Sequence, residues 1–227
     1  MNSMKKQTNK PTILWDIHDV LLKRSGIMTT LWNYNDWWNT ITNSSFGLVK
    51  DLMGLAMSHL ISGSSSEQFI QRAQAHNNPY MKHLITQLTN SQQPIPGMKQ
   101  ITDELHAAGC EQHIASNIGS TPFRVLTDPN KLPHLAPTFV HMNIEKSFVV
   151  SNDTGTFVKK PDPQFFSMYL QKNGLNPHSQ PIIFIDDNAK NVAAAQTVGI
   201  DAILFKNPTQ LRNELQKRAV LLPQADQ

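Results

Sequence analysis

Short apolar runs that stop at an acidic or hydroxyl side chain recur along this chain. Thr12-Ile13-Leu14-Trp15 ends at Asp16, Gln112-His113-Ile114-Ala115 ends at Ser116, and Pro181-Ile182-Ile183-Phe184-Ile185 ends at Asp186. A run without polar alternation reads as a strand buried on both faces, and an abrupt polar residue at its carboxyl end marks a functional edge. Ser147-Phe148-Val149-Val150 and Ala202-Ile203-Leu204-Phe205 are further strands of this kind. Between them the spacing becomes helical. Met98, Ile101, Leu105 and Ala108 fall on one helix face, with Gly109 placed to stop it. Pro163 to Leu170 opens a second helix behind Asp162 as N-cap, and residues 188–198 form an alanine-rich third that ends at Gly199. Asn207-Pro208 supplies the cap and first turn of a last helix through Leu211 and Leu215. Strands alternating with helices imply parallel pairing through right-handed crossovers, hence a doubly wound α/β sheet.

Residues 23–93 break the rhythm. They carry helical patterning throughout, hold Trp32, Trp37 and Trp38, and run into the polar stretch 89–93 ahead of Pro94 and Pro96-Gly97. The expected organisation is a parallel-sheet core from residues 1–22 and 94–227, with an all-helical insertion over 23–93. The three tryptophans form core within that insertion, or a pocket wall if it covers a site. The loop 127–137, with three prolines and His134, reads as a connection.

Composition narrows the function classes. Twenty Lys+Arg against seventeen Asp+Glu leave a net charge of +3, and the basic residues are scattered. Without a basic stripe, nucleic acid is not expected as a ligand. One cysteine excludes an intramolecular disulfide and a cysteine-cluster metal site, and Cys110 reads as a small apolar residue entering a strand. The most apolar helical run, 48–61, contains Lys50, Asp51 and His59 and is shorter than a bilayer span. The amino-terminal residues lack the apolar stretch of a secretory signal. A soluble, cytoplasmic protein without membrane partners is expected, and its oligomeric state is not readable.

The chemistry concentrates at the strand ends, where doubly wound folds collect ligands. Asp16, Ser116 and the pair Asp186-Asp187 each follow an apolar run, and Lys160 lies ahead of a helix in Lys159-Lys160-Pro161-Asp162-Pro163. Three carboxylates, a hydroxyl and an ammonium at one edge call for a divalent cation and an anionic substrate to balance their charge. Turn chemistry alone could account for any one aspartate. It does not account for all of them in this order. The nine histidines show no metal-ligand spacing, and His59, His76, His83 and His106 read as surface or satisfied core residues.

From Thr12 to about Leu215 the chain resembles the haloacid dehalogenase-like (HAD) hydrolase superfamily. The resemblance rests on four motifs in order: Ile13-Leu14-Trp15-Asp16-Ile17-His18-Asp19-Val20-Leu21, His113-Ile114-Ala115-Ser116-Asn117, Lys160-Pro161-Asp162-Pro163, and Phe184-Ile185-Asp186-Asp187-Asn188-Ala189-Lys190-Asn191. Pro94-Ile95-Pro96-Gly97 ahead of the second is also family-like, and the insertion looks like the helical cap of the subgroup with small-molecule phosphatases and haloacid dehalogenases. The resemblance implies a Rossmann-like core and a Mg²⁺-dependent phosphatase of a small phosphorylated metabolite. It makes Asp16 the nucleophile, which forms an aspartyl-phosphate. Mg²⁺ would be held by Asp16, the His18 carbonyl and Asp187, with Asp186 binding directly or through water. Ser116 and backbone groups near Asn117 would bind the phosphoryl oxygens, and Lys160 would neutralise the nucleophile and the transferring group. Asn191 would support Lys160 or the metal carboxylates.

One position departs from the family. A second aspartate, serving as general acid and base, usually stands two residues after the nucleophile; here His18 occupies it, and Asp19 stands where glycine is common. Imidazole can give and take a proton near neutrality, although a protonated ring beside a metal ion is disfavoured. The alternatives are therefore His18 as acid/base, or His18 as a positioning residue in a slow or catalytically degenerate member. A 2-haloacid dehalogenase would use the same aspartate without needing the Asp186-Asp187 pair. A phospho-receiver domain would place its acidic pair after the first strand and its lysine last, the reverse of this order.

Overall fold

The computed structural model describes residues 10–23, 92–150 and 158–221. The helical insertion expected over 23–93 therefore lies, apart from its ends, outside the described residues. Five strands, β1 (Thr12–Trp15), β4 (Glu111–Gly119), β5 (Phe148–Val150), β6 (Ile182–Asp186) and β7 (Asp201–Leu204), form one parallel sheet in the order β5-β4-β1-β6-β7. A separate antiparallel pair joins β2 (Leu22–Lys23) to β3 (Gln93–Pro94), with Leu22 opposite Pro94 and Lys23 opposite Gln93. The chain thus leaves the core and re-enters it side by side.

Six helices complete the described elements: α1 (Met98–Ala107), α2 (Ser120–Leu126), α3 (Ala136–Phe139), α4 (Pro163–Asn173), α5 (Ala189–Thr197) and α6 (Pro208–Lys217). Strand alternation divides the core into two layers. Ile13, Trp15, Ile114, Ile183, Ile185 and Ile203 point to one face, where Ile101 and Leu105 of α1, Phe123 of α2 and Leu211 and Leu215 of α6 cover them. Leu14, Ala115, Phe184 and Ala202 point to the other, against Phe165, Phe166 and Tyr169 of α4 and Val192 and Ala195 of α5. Both faces are buried, which is why the strands read as continuous apolar runs.

The caps follow the local sequence. Asp162 accepts from the Gln164 N–H at 2.9 Å and opens α4, and Asn207 accepts from the Gln210 N–H at 2.9 Å and opens α6. Gly109, at φ 79°, turns the chain out of α1, with its N–H on His106 O at 2.9 Å. Asn188 caps α5 rather than forming its first turn, accepting from the Lys190 N–H at 2.9 Å.

Several local expectations need correction. The strand expected over 112–115 runs through Glu111–Gly119, because Ser116 and Ile118 are buried at the sheet edge although Asn117 interrupts the apolar run. Its pairing with β5 loses register between Ser116 and Gly119. The region 127–137 is not all connection: α3 begins at Ala136, and His134 Nε2 lies 3.2 Å from Gln92 O beside β3. Among the described residues no helix is long and apolar enough to cross a membrane.

Candidate active site

β1 is the central strand, and the chain winds to one side of it through β4 and β5 before crossing to β6 and β7. Such a switch point leaves a crevice at the strands' carboxyl ends. Asp16 emerges there from β1, Ser116 lies within β4, and Asp186 ends β6. Lys160 enters from the turn ahead of α4. Its ammonium lies 2.9 Å from Asp16 Oδ1, 2.7 Å from Asp186 Oδ2 and 2.9 Å from Ala115 O. An ammonium has three N–H donors, and these three acceptors use them all.

Asp186 is equally occupied. Besides Lys160, it accepts from the Asn188 N–H at 2.8 Å and from Asn191 Nδ2 at 2.9 and 3.0 Å. It has 0% exposure, whereas Asp16 retains 7%. Asp187, half-buried at the next position, brings a third carboxylate into the group; one oxygen each from Asp16, Asp186 and Asp187 lie within 4.8 Å of one another. Three hard oxygen donors against one ammonium fit a divalent cation in both chemistry and charge. Asp187 is half-buried and Asp16 slightly exposed, whereas Asp186 is fully buried with both oxygens bonded to protein donors.

The two carboxylates sharing Lys160 differ in their titration. Burial works to raise the Asp16 carboxyl, but the Lys160 ammonium outweighs it, with help from His18 and the Ser116 hydroxyl, and holds it below the ordinary aspartate value. Burial raises the Asp186 carboxyl; Lys160 opposes this, the Asp16 charge adds to it, and the result stays above the ordinary value. Burial works against the Lys160 ammonium, yet the paired carboxylates raise its pKa above the usual lysine range. The Lys160 ammonium thus favours the charged form of Asp16.

The remaining expected residues fall around this triad. Ser116 is buried beside Asp16. The Asn117 side chain turns to the Lys160 main chain, accepting from its N–H at 2.8 Å and donating to its carbonyl at 2.9 Å. His18 is half-buried, with its backbone bridged to Leu22. Asp19 adopts φ 62°, the left-handed conformation that makes glycine common at such a position and that aspartate tolerates better than most residues. His106, read as a surface or satisfied core residue, is exposed and stacks on His141 at 4.1 Å.

A support not anticipated from the sequence lies beneath Asp16. The Trp15 indole donates to Gln112 Oε1 at 3.1 Å, and Gln112 Nε2 donates to Thr102 O at 2.9 Å, all buried. This tie anchors the end of β1 to β4 and α1. Its one sequence signal was a glutamine within a segment that reads as a buried strand.

The sequence model of the haloacid dehalogenase-like hydrolase family matches residues 13–205. The fold is similar to that of a HAD family hydrolase from Deinococcus radiodurans R1 solved with bound phosphate and sodium, at 18% identity and TM-score 0.55 over 95% of this chain and 99% of that one. A HAD-like family hydrolase from Porphyromonas gingivalis aligns at 16% identity and TM-score 0.59 over 92% and 98% of the two chains. A dehalogenase with an intermediate complex aligns at 15% identity and TM-score 0.51 over 86% and 84%. At these identities the likeness is one of fold.

Proposed function

The chain belongs to the haloacid dehalogenase-like hydrolases, and from that premise we propose that it is a Mg²⁺-dependent phosphatase of a small phosphorylated metabolite. The observation that carries this reading is the carboxylate cluster of Asp16, Asp186 and Asp187. Displacing halide from a haloacid needs no cation, and a third carboxylate beside the nucleophile would only add repulsion there. A cation held by Asp16, Asp187 and the His18 carbonyl, with Asp186 behind them, would orient a phosphoryl group and offset its repulsion from the nucleophile.

In this reading Asp16 attacks phosphorus and the ester oxygen departs, leaving an aspartyl-phosphate that water then hydrolyses. Lys160 acts as a fixed positive charge beside the nucleophile and the transferring group, since its donors are held by Ala115, Asp16 and Asp186. Ser116 and the backbone N–H groups near Asn117 face the phosphoryl oxygens. His18 gives a proton to the leaving oxygen and takes one from the attacking water.

The test is a phosphate-ester panel assayed with Mg²⁺ and with chelator, beside halide release from 2-haloacids. Magnesium-dependent ester turnover is expected, and halide release alone would overturn the proposal. His18 favours one second reading, a member that binds without turnover. An inactive wild type in which His18→Asp turns over esters would establish it.

A further inference from the structure

We propose that the Asn117 side chain is a positioning group for Lys160 and acts on the reaction only through it. This inference rests on the phosphatase reading for its kinetic consequence and on the geometry alone for its structural one. The Asn117 amide pairs with both main-chain groups of Lys160, at 2.8 Å to the N–H and 2.9 Å to the carbonyl. The exchange of two bonds is the same as in a hydrogen-bonded pair of an antiparallel ladder, with one side chain standing in for a strand. Only a carboxamide offers a donor and an acceptor side by side at this reach; aspartate lacks the donor and serine the length.

The placement gives this pairing a consequence. Asn117 follows Ser116 in the irregular part of β4, where the pairing with β5 shifts register. On the other side of Lys160, Asp162 caps α4 and its N–H bonds Lys159 O at 2.9 Å. The Lys160 backbone is thus held between a helix cap and Asn117. From this fixed origin its side chain, 1% exposed, reaches Asp16 and Asp186. Without the Asn117 side chain the Lys160 backbone loses both of these bonds, and the ammonium loses its register against the nucleophile.

The experiment combines Asn117→Ala with Lys160→Met in a double-mutant cycle, read by steady-state kinetics on the best ester from the panel. Asn117→Ala alone should lower kcat by roughly 10- to 100-fold, the scale of a displaced catalytic group, and leave KM within about twofold. In the Lys160→Met background it should change kcat less than about twofold. An equal loss in both backgrounds, or a rise in KM with kcat unchanged, would show that Asn117 touches substrate itself and overturn the proposal. Competitive amine labelling read by mass spectrometry needs no activity. Lys160 should be protected in the wild type and labelled at least severalfold faster in Asn117→Ala, with exposed Lys99 unchanged and the single cysteine, buried Cys110, still unreactive. Unchanged Lys160 labelling refutes the clamp even if no ester is turned over. Reactive Cys110 would mean general loosening and refute a specific role.

Discussion

Asp186→Asn preserves the shape of a side chain with 0% exposure and removes its charge. As it stands, both carboxylate oxygens accept: Oδ2 from Lys160 at 2.7 Å and Asn191 at 3.0 Å, Oδ1 from Asn188 N–H at 2.8 Å and Asn191 at 2.9 Å. Asparagine replaces one of these oxygens with a donor. Turned one way, its NH₂ faces the Lys160 ammonium; turned the other, it faces the Asn188 N–H. Loss of the charge-assisted bond costs about 1.5–3 kcal/mol, and a buried donor left without an acceptor about 1–3 kcal/mol. The total of about 2.5–6 kcal/mol brackets the roughly 3–5 kcal/mol scale for removing one partner of a buried ion pair. Equilibrium urea unfolding followed by far-UV circular dichroism, with chelator present so that no cation contributes, should show this loss. Adding Lys160→Met should then cost less than its effect in the wild type, with a coupling of at least about 1 kcal/mol. A loss below about 1 kcal/mol for Asp186→Asn would refute the reasoning, since Asp186 would then be dispensable to the site's internal structure.

Three further outcomes are expected. Asp16→Asn should abolish ester turnover while its circular dichroism spectrum stays that of the wild type; retained turnover would remove Asp16 as nucleophile. Gln112→Ala strips the acceptor from the Trp15 indole and the donor from Thr102 O, and should cost about 2–3 kcal/mol in the same unfolding assay. His113 is buried with Nδ1 2.7 Å from the Tyr169 hydroxyl and Nε2 3.2 Å from Glu111 Oε1; burial holds its pKa below the ordinary histidine value despite Glu111. The unfolded chain therefore binds that proton more tightly, so stability should fall as pH drops from about 6.5 toward the lowered value, and His113→Gln should flatten this part of the profile.

The two-layer core was readable because a strand buried on both faces is mostly apolar without alternation, and 13–15, 182–185 and 202–203 are apolar throughout. The residues that end those runs were readable for the same reason: Asp16 and Asp186 stop an apolar pattern without a turn residue between. The short pair β2–β3 was not, since two residues carry no periodicity, and neither was β4 beyond Ser116, where Asn117 makes a buried edge look like a loop. Lys160 could be placed on its motif and set against Asp16, but the full set of its three acceptors could not. They come from β1, β4 and β6, far apart in the chain. The Trp15–Gln112 tie spans 97 positions. Composition and periodicity are local properties, so the sequence by itself determined which segments are buried and which residue types terminate them. Which of the acidic side chains faces the crevice and which is spent on Lys160 depends on sheet order and register, and these exist only once distant strands have paired.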